Sequence, residues 1–136
     1  MQRKIMTTFT IKQIISASIL LFLIVLLIQA NPVLAHAKLV KSDPSRKAAL
    51  SASPKFVQLW FNEKIEGSYA SVTVLDSEKK PVTQNSPEPV AGDLKSVVLN
   101  LPELEPGSYK VQYRVMSVDG HVIESSYEFS IKSIMQ

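Results

Sequence analysis

Residues 108–115 read Ser-Tyr-Lys-Val-Gln-Tyr-Arg-Val, a stretch in which apolar and polar side chains alternate after the opening serine. Successive side chains of a β-strand point to opposite faces of the sheet. One face of this strand then carries all of its apolar side chains, namely Tyr109, Val111, Tyr113 and Val115. The pattern predicts an antiparallel sheet that packs one face against a core and exposes the other to water.

Shorter runs of the same kind continue on both sides of this strand. They are rich in β-branched and aromatic residues, and Pro, Gly or Asp-Gly turn signals separate them. They predict further strands at residues 37–41, 55–61, 69–75, 94–101 and 122–131. About seven short strands with turns every 8–12 residues indicate an all-β domain, an antiparallel sandwich or Greek-key barrel. Residues 45–50 are expected to form one helical turn, and residues 77–93 the most loop-like segment.

The first 35 residues differ from the rest of the chain. They contain three basic residues and no acidic ones, then a 15-residue apolar run over residues 14–28, and they end at Ala35. This order is typical of a secretory signal peptide, and the run is shorter than the roughly 20 residues of a membrane-spanning helix. We predict export to the periplasm or the outer cell surface, with residues 1–35 as signal and residues 36–136 as mature domain. An uncleaved signal anchor is the alternative.

Removal of the signal leaves a neutral domain. Three of the 15 Lys and Arg residues and none of the 12 Asp and Glu residues lie in the signal, so 12 of each remain. No basic patch with interleaved aromatic residues is present, which argues against nucleic-acid binding. The chain has no cysteine, which excludes thiolate catalysis, iron–sulfur clusters and cysteine-based zinc sites. A disulfide-free domain of about 100 residues depends on its core for stability.

The two histidines, His36 and His121, suggest a metal site. Cleavage after Ala35 would make His36 the first residue, and its free α-amine, with a pKa of about 7.7–8.0, readily loses a proton to a metal. The amine and the ring Nδ1 would form a chelate, and His121 would add a third nitrogen. Asp119 would project to the same side of a strand as His121 and add a carboxylate. This donor set favours Cu(II) in a tetragonal arrangement, although zinc could use it in a tetrahedral one.

Other interpretations of these residues are open. Asp-Gly is a common turn dipeptide, so Asp119 and His121 could belong to an ordinary surface turn. Ser117, Asp119 and His121 could suggest a nucleophilic site, but no nucleophile elbow or oxyanion-hole signature accompanies them. Residues 35–37 also fit the Ala-x-Ala cleavage pattern, and a cut after residue 37 would discard His36.

Stretches across essentially the whole mature region resemble the CopC copper-resistance family. They are His36-Ala37-Lys38-Leu39-Val40, Asp43-Pro44, residues 57–63 ending Phe61-Asn62-Glu63, residues 106–111, residues 113–121 ending Ser117-Val118-Asp119-Gly120-His121, and Ser126-Tyr127-Glu128-Phe129. The resemblance implies a seven-stranded Greek-key β-barrel related to cupredoxins. It also implies an exported, non-enzymatic protein that carries Cu(II) outside the cytoplasmic membrane.

The resemblance further implies one Cu(II) ion held by His36, through its amine and Nδ1, by His121, and by Asp119 as a ligand or beside the ligands. Glu63 matches a family position near the copper. Residues 76–90 lack the Met and His residues of the Cu(I)-binding loop found in some members, which indicates a single-site form. Many relatives are linked to a membrane copper transporter, CopD, which would here be a separate chain.

We therefore predict a monomeric Cu(II)-binding protein for copper buffering, tolerance or delivery to a membrane importer. One alternative is a copper oxidase with an N-terminal histidine brace, like the polysaccharide monooxygenases. Those enzymes expose a flat aromatic surface, whereas Trp60 and the tyrosines here are expected in the core or at sheet edges. The other alternative is a metal-free immunoglobulin-like interaction module.

Overall fold

The computed structural model describes residues 13–16, 18–22 and 37–133. The chain divides into two units, Met1–Leu34 and Ala35–Gln136. In the first unit, residues 13–16 and 18–22 are helical, and the large apolar side chains among them are each more than half exposed. No helix within these described ranges is long and apolar enough to cross a membrane. The rest of the predicted signal, the bond after Ala35 and His36 lie outside the described residues.

The second unit is a sandwich of two four-stranded sheets. Its strands within residues 37–133 are β1 (Leu39–Asp43), β2 (Ala49–Leu50), β3 (Phe56–Phe61), β4 (Ser71–Leu75), β5 (Glu88–Val90), β6 (Asp93–Asn100), β7 (Gly107–Met116) and β8 (Val122–Ile131). One sheet has the order β1-β3-β6-β5, and the other has the order β2-β8-β7-β4. Strands adjacent in a sheet are antiparallel except β2 and β8, which are parallel. The all-β sandwich prediction is confirmed, with eight strands rather than seven.

Three elements differ from the sequence predictions. The expected helical turn at residues 45–50 is wrong, because β2 occupies its end and pairs with β8. The loop expected at residues 77–93 contains β5, which pairs with β6. Tyr69 belongs to a 3-10 turn, Gly67–Tyr69, and not to β4. In these two short strands, pairing with another strand outweighs local sequence preference.

The core lies between the inner faces of the two sheets. All four inward side chains predicted for β7 are buried, namely Tyr109, Val111, Tyr113 and Val115. The Tyr109 ring stacks on Phe129 with centroids 5.4 Å apart, and Tyr113 meets Phe61 edge to face at 5.9 Å. Offset and edge-to-face pairs of this kind are the arrangements that aromatic rings prefer in cores. The alternation in residues 108–115 thus predicted the packed face of β7.

The positions of Trp60 and the tyrosines mostly agree with the prediction that they lie in the core or at edges. Tyr109, Tyr113 and Tyr127 are buried. Trp60 is half-buried, and the Lys41 ammonium lies 4.4 Å from its ring centroid. Tyr69, at 65% exposed, and Trp60, on the outer face of the inner strand β3, do not fit the prediction.

The short segment after β3 connects the start of the domain to the turn between β7 and β8. The backbone N–H of Asn62 donates to the Lys38 carbonyl at 3.0 Å, and the Asn62 Oδ1 accepts from the Lys38 N–H at 2.5 Å. Farther along, the Lys64 carbonyl accepts from the Val118 N–H at 3.3 Å. The segment therefore brings two distant parts of the chain to one end of the sandwich.

Candidate metal centre

The turn between β7 and β8, residues 117–121, contains Asp119 and His121. The Ser117 N–H donates to the His121 carbonyl at 2.9 Å, and the Gly120 N–H donates to the Ser117 carbonyl at 2.9 Å. Gly120 has φ +90°, a left-handed backbone conformation that strains any residue with a Cβ. A Cβ at Gly120 would nevertheless have free space, because no atom beyond the adjacent residues would lie within 4 Å of it. Backbone conformation, and not space, therefore favours glycine here. The sequence predicted that Asp119 and His121 lie on one strand. This prediction is wrong, because both residues lie in the turn between β7 and β8.

The Asp119 carboxylate is held by hydrogen-bond donors from its own turn. The Ser117 hydroxyl donates to Asp119 Oδ1, and the backbone N–H of His121 donates to the same oxygen at 3.2 Å. The His121 Nδ1 lies 3.0 Å from it. Ser117 is only 1% exposed and pairs with Ile65 across an isolated bridge, which anchors this end of the turn. The carboxylate and the imidazole therefore face each other.

These contacts lower the pKa of Asp119 to about 2. The largest cause is the hydrogen bond from Ser117, followed by the hydrogen bonds from the side chain and backbone of His121. Donors that bond the charged form of a carboxyl group stabilise that form. Asp119 is therefore an anion at neutral pH and can bind a cation without losing a proton.

Removal of the Ser117 hydroxyl tests the cause of this shift. We expect Ser117→Ala to raise the pKa of Asp119 from about 2 toward the usual value of about 3.9, measured by carboxyl ¹³C NMR on the metal-free domain. The folded-state pKa lies below the unfolded one, so the ionised carboxylate stabilises the fold above about pH 4. That contribution is lost as the pH falls through about 2. Ser125→Ala, at an exposed serine of β8, is the control, and an unchanged pKa in Ser117→Ala would refute the assignment.

The distance between Asp119 and His121 suits one metal ion. Asp119 Oδ1 and His121 Nδ1 are 3.0 Å apart. Two ligand atoms at about 2.0–2.2 Å from an ion and at right angles to each other are separated by about 3 Å. Alternatively, Asp119 can accept the Nδ1 proton while the other ring nitrogen binds the ion, as is common for metal-binding histidines. Further ligands are needed, because the described residues contain no group of three His, Cys, Asp or Glu able to hold a metal.

Glu63 lies next to Lys64, whose carbonyl bonds to the turn. Its side chain is half-buried, and its Oε1 is buried without a hydrogen-bond partner in the described part of the chain. A buried carboxylate oxygen is costly to leave unpaired, and its chemistry suits a cation. The structure does not group Glu63 with Asp119 and His121, so its role as a ligand stays a prediction.

His36 lies outside the described residues, so its role also stays a prediction. The residue after it, Ala37, is 1% exposed and belongs to the core, and Lys38 is bonded to Asn62 through its backbone. Sequence reasoning missed Asn62 and the contact of Ser117 with Asp119. A serine two residues before an aspartate in a turn was an available signal, because such side chains often bond locally. No local signal indicates Asn62, whose partner is 24 residues away.

Several known proteins similar to this chain are named for copper. A family model described as the CopC domain matches residues 39–132. The crystal structure of CopC from Methylosinus trichosporium OB3b has a TM-score of 0.70 and 40% identity, covering 74% of this chain and 98% of that one. Copper resistance protein C of Escherichia coli is 33% identical over 106 residues, 73% of this chain and 83% of that protein. Copper transport protein CutJ of Bacillus subtilis is 29% identical over 104 residues, 71% of this chain but 18% of that protein.

Proposed function

The chain belongs to the CopC family, and on that basis we propose that it is an exported protein that binds one Cu(II) ion for buffering, tolerance or delivery. The observation that carries the proposal is the pair formed by Asp119 and His121, whose Oδ1 and Nδ1 lie 3.0 Å apart in a turn anchored by Ser117. The names of the relatives, copper resistance and copper transport proteins, support copper as the metal.

We assign His36, His121 and Asp119 as the groups that hold the ion, with Glu63 as a further candidate. After cleavage, the amine and Nδ1 of His36 provide two nitrogens, and His121 provides a third. The Asp119 carboxylate neutralises one of the two positive charges. Three nitrogens and an oxygen suit Cu(II) in a tetragonal arrangement. Met116 is the only methionine of the described residues, which argues against a soft-ligand Cu(I) site.

The exposure of the site suits a protein that passes its ion on. The side chains of His121 and Asp119 are 38% and 45% exposed, so a partner can reach an ion bound there. A region similar to this domain forms part of the copper transport protein CutJ, which supports a membrane copper transporter of the CopD kind as a separate partner. We propose no catalytic step, because several relatives are named as copper resistance and copper transport proteins.

Native mass spectrometry of the exported protein tests the proposal in one measurement. We expect the mass of residues 36–136 plus one copper ion. Cleavage after Ala37 is disfavoured because it would remove a side chain that the core buries to 1% exposure. His121→Ala is the control. Its polypeptide should also span residues 36–136, but it should lose its copper to a mild chelator. A mass that corresponds to a protein beginning at Lys38, to a protein that retains residues 1–35, or to a protein without copper would contradict the proposal.

A further inference from the structure

Asn62 holds the backbone of Lys38 from both sides. Its side-chain Oδ1 accepts the Lys38 N–H at 2.5 Å, and its own N–H donates to the Lys38 carbonyl at 3.0 Å. The Asn62 carbonyl in turn accepts from the Lys95 ammonium at 3.2 Å. Both backbone polar groups of Lys38 are thus bonded to one residue, which we call the Asn62 clamp.

The neighbours of Lys38 are also fixed. Ala37 is 1% exposed in the core, and Leu39 pairs with Phe61 as the first residue of β1. Consecutive Cα atoms are about 3.8 Å apart, so a residue placed directly before Ala37 starts from a fixed point. The clamp therefore limits where an amino-terminal histidine can lie.

The segment that contains the clamp also holds the turn with Asp119 and His121. The Lys64 carbonyl accepts from the Val118 N–H at 3.3 Å, and Ile65 forms a bridge with Ser117. Ile65 is 6% exposed, so this contact is part of the core. Residues 62–65 are the shared support of both halves of the site.

We propose that Asn62 is a positioning residue that pre-arranges the amino-terminal chelate of His36 beside Asp119 and His121. This inference rests on the proposed function. A ligand held in its bound position loses less conformational freedom when the ion binds. Residues that orient metal ligands in this way typically change metal affinity about 10–100-fold when they are replaced. Asparagine suits the role because its Oδ1 and its own N–H reach the same neighbouring residue.

Substitutions at Asn62 test the clamp through Cu(II) affinity, measured by competition with a chelator of known affinity. We expect Asn62→Ala to weaken binding about 10–100-fold and to reduce the number of coordinated nitrogens seen by electron paramagnetic resonance. Asn62→Asp should stay close to the wild type, because a carboxylate oxygen can accept the Lys38 N–H. Asn85→Ala is the matched control, since Asn85 is exposed and donates to the Asn100 carbonyl at the other end of β3.

A double-mutant cycle separates positioning from general stability. If Asn62 acts through the amino terminus, Asn62→Ala has no further effect on affinity in a background that lacks both ligands of residue 36, namely His36→Ala with Gly-Ser-Gly-Ser placed ahead of it. An equal loss in both backgrounds would overturn the inference. Circular dichroism of the metal-free variants checks folding. If Asn62→Ala unfolds, Asn62→Gln takes its place, because its longer side chain displaces the acceptor.

Two outcomes distinguish this inference from the proposed function. Absence of Cu(II) binding in the wild type, or binding that does not depend on His36, would overturn the proposed function and this inference with it. Tight, His36-dependent binding with unchanged affinity and spectrum in the Asn62 variants would overturn the clamp alone.

Discussion

A mature domain extended by Gly-Ser-Gly-Ser ahead of His36 is expected to bind Cu(II) about a hundredfold more weakly than one that begins at His36. The extension keeps every side chain but moves the α-amine away from the ring of His36. Four-ligand zinc sites bind with about 10–16 kcal/mol, so one ligand contributes roughly 3 kcal/mol, or about a hundredfold in affinity. Chelator competition gives the affinity, and electron paramagnetic resonance should detect one nitrogen fewer.

The ring of His36 provides the matched comparison. His36→Ala keeps a free α-amine and loses the imidazole, so we expect a loss of similar size, about a hundredfold. Combining the extension with His36→Ala should remove both ligands and weaken binding further. Thermal unfolding of the metal-free proteins should be the same for all of them, since the residue changes lie ahead of the core residue Ala37. Equal affinity with and without the extension would exclude the amine as a ligand.

Cu(II) at a thousandfold excess over its dissociation constant is expected to raise the thermal unfolding midpoint by roughly 15–30 °C. A ligand that binds only the native state stabilises it by about 4.1 kcal/mol at this excess. Each kcal/mol shifts the midpoint of a domain of about 100 residues by about 4–8 °C. Differential scanning calorimetry of the mature domain, with and without Cu(II), measures the shift.

His121→Ala and a chelator are the controls for this stabilisation. The variant should lose most of the shift, because an imidazole ligand is gone and Asp119 loses its neighbour at 3.0 Å. Excess chelator should return the wild type to its metal-free midpoint. A full shift in His121→Ala would place the ion elsewhere, and no shift in the wild type would favour the metal-free interaction module.

The sequence predicted correctly the strand whose pattern is complete within itself, and it missed the short strands that depend on pairing with another strand. β7 has an alternation that is complete within one strand, so its buried face was predictable from residues 108–115. β2 and β5 have two and three residues, and both lie at sheet edges. Too few side chains alternate in such strands to give a pattern, and their pairing depends on β8 and β6.

The proximity of Asp119 to His121 was predictable from the sequence, but the contacts that support the pair were not. Asp119 and His121 stand two positions apart with the Gly120 turn signal between them, and the structure brings them together. The reason is the turn, in which the buried Ser117 bonds Asp119, and not the strand geometry expected from their spacing. The role of Asn62 was not predictable, because its partner becomes a neighbour only when β1 pairs with β3.

The sequence by itself determined the sheet class, the buried face of β7, the family and the pair formed by Asp119 and His121. These depend on side-chain alternation and on motifs whose members are close along the chain. Only the tertiary structure decided that residues 62–65 hold both Lys38 and the 117–121 turn. Those hydrogen bonds join residues 24 and more than 50 positions apart, and they form only once β1 has paired with β3 and the two sheets have packed around their shared core.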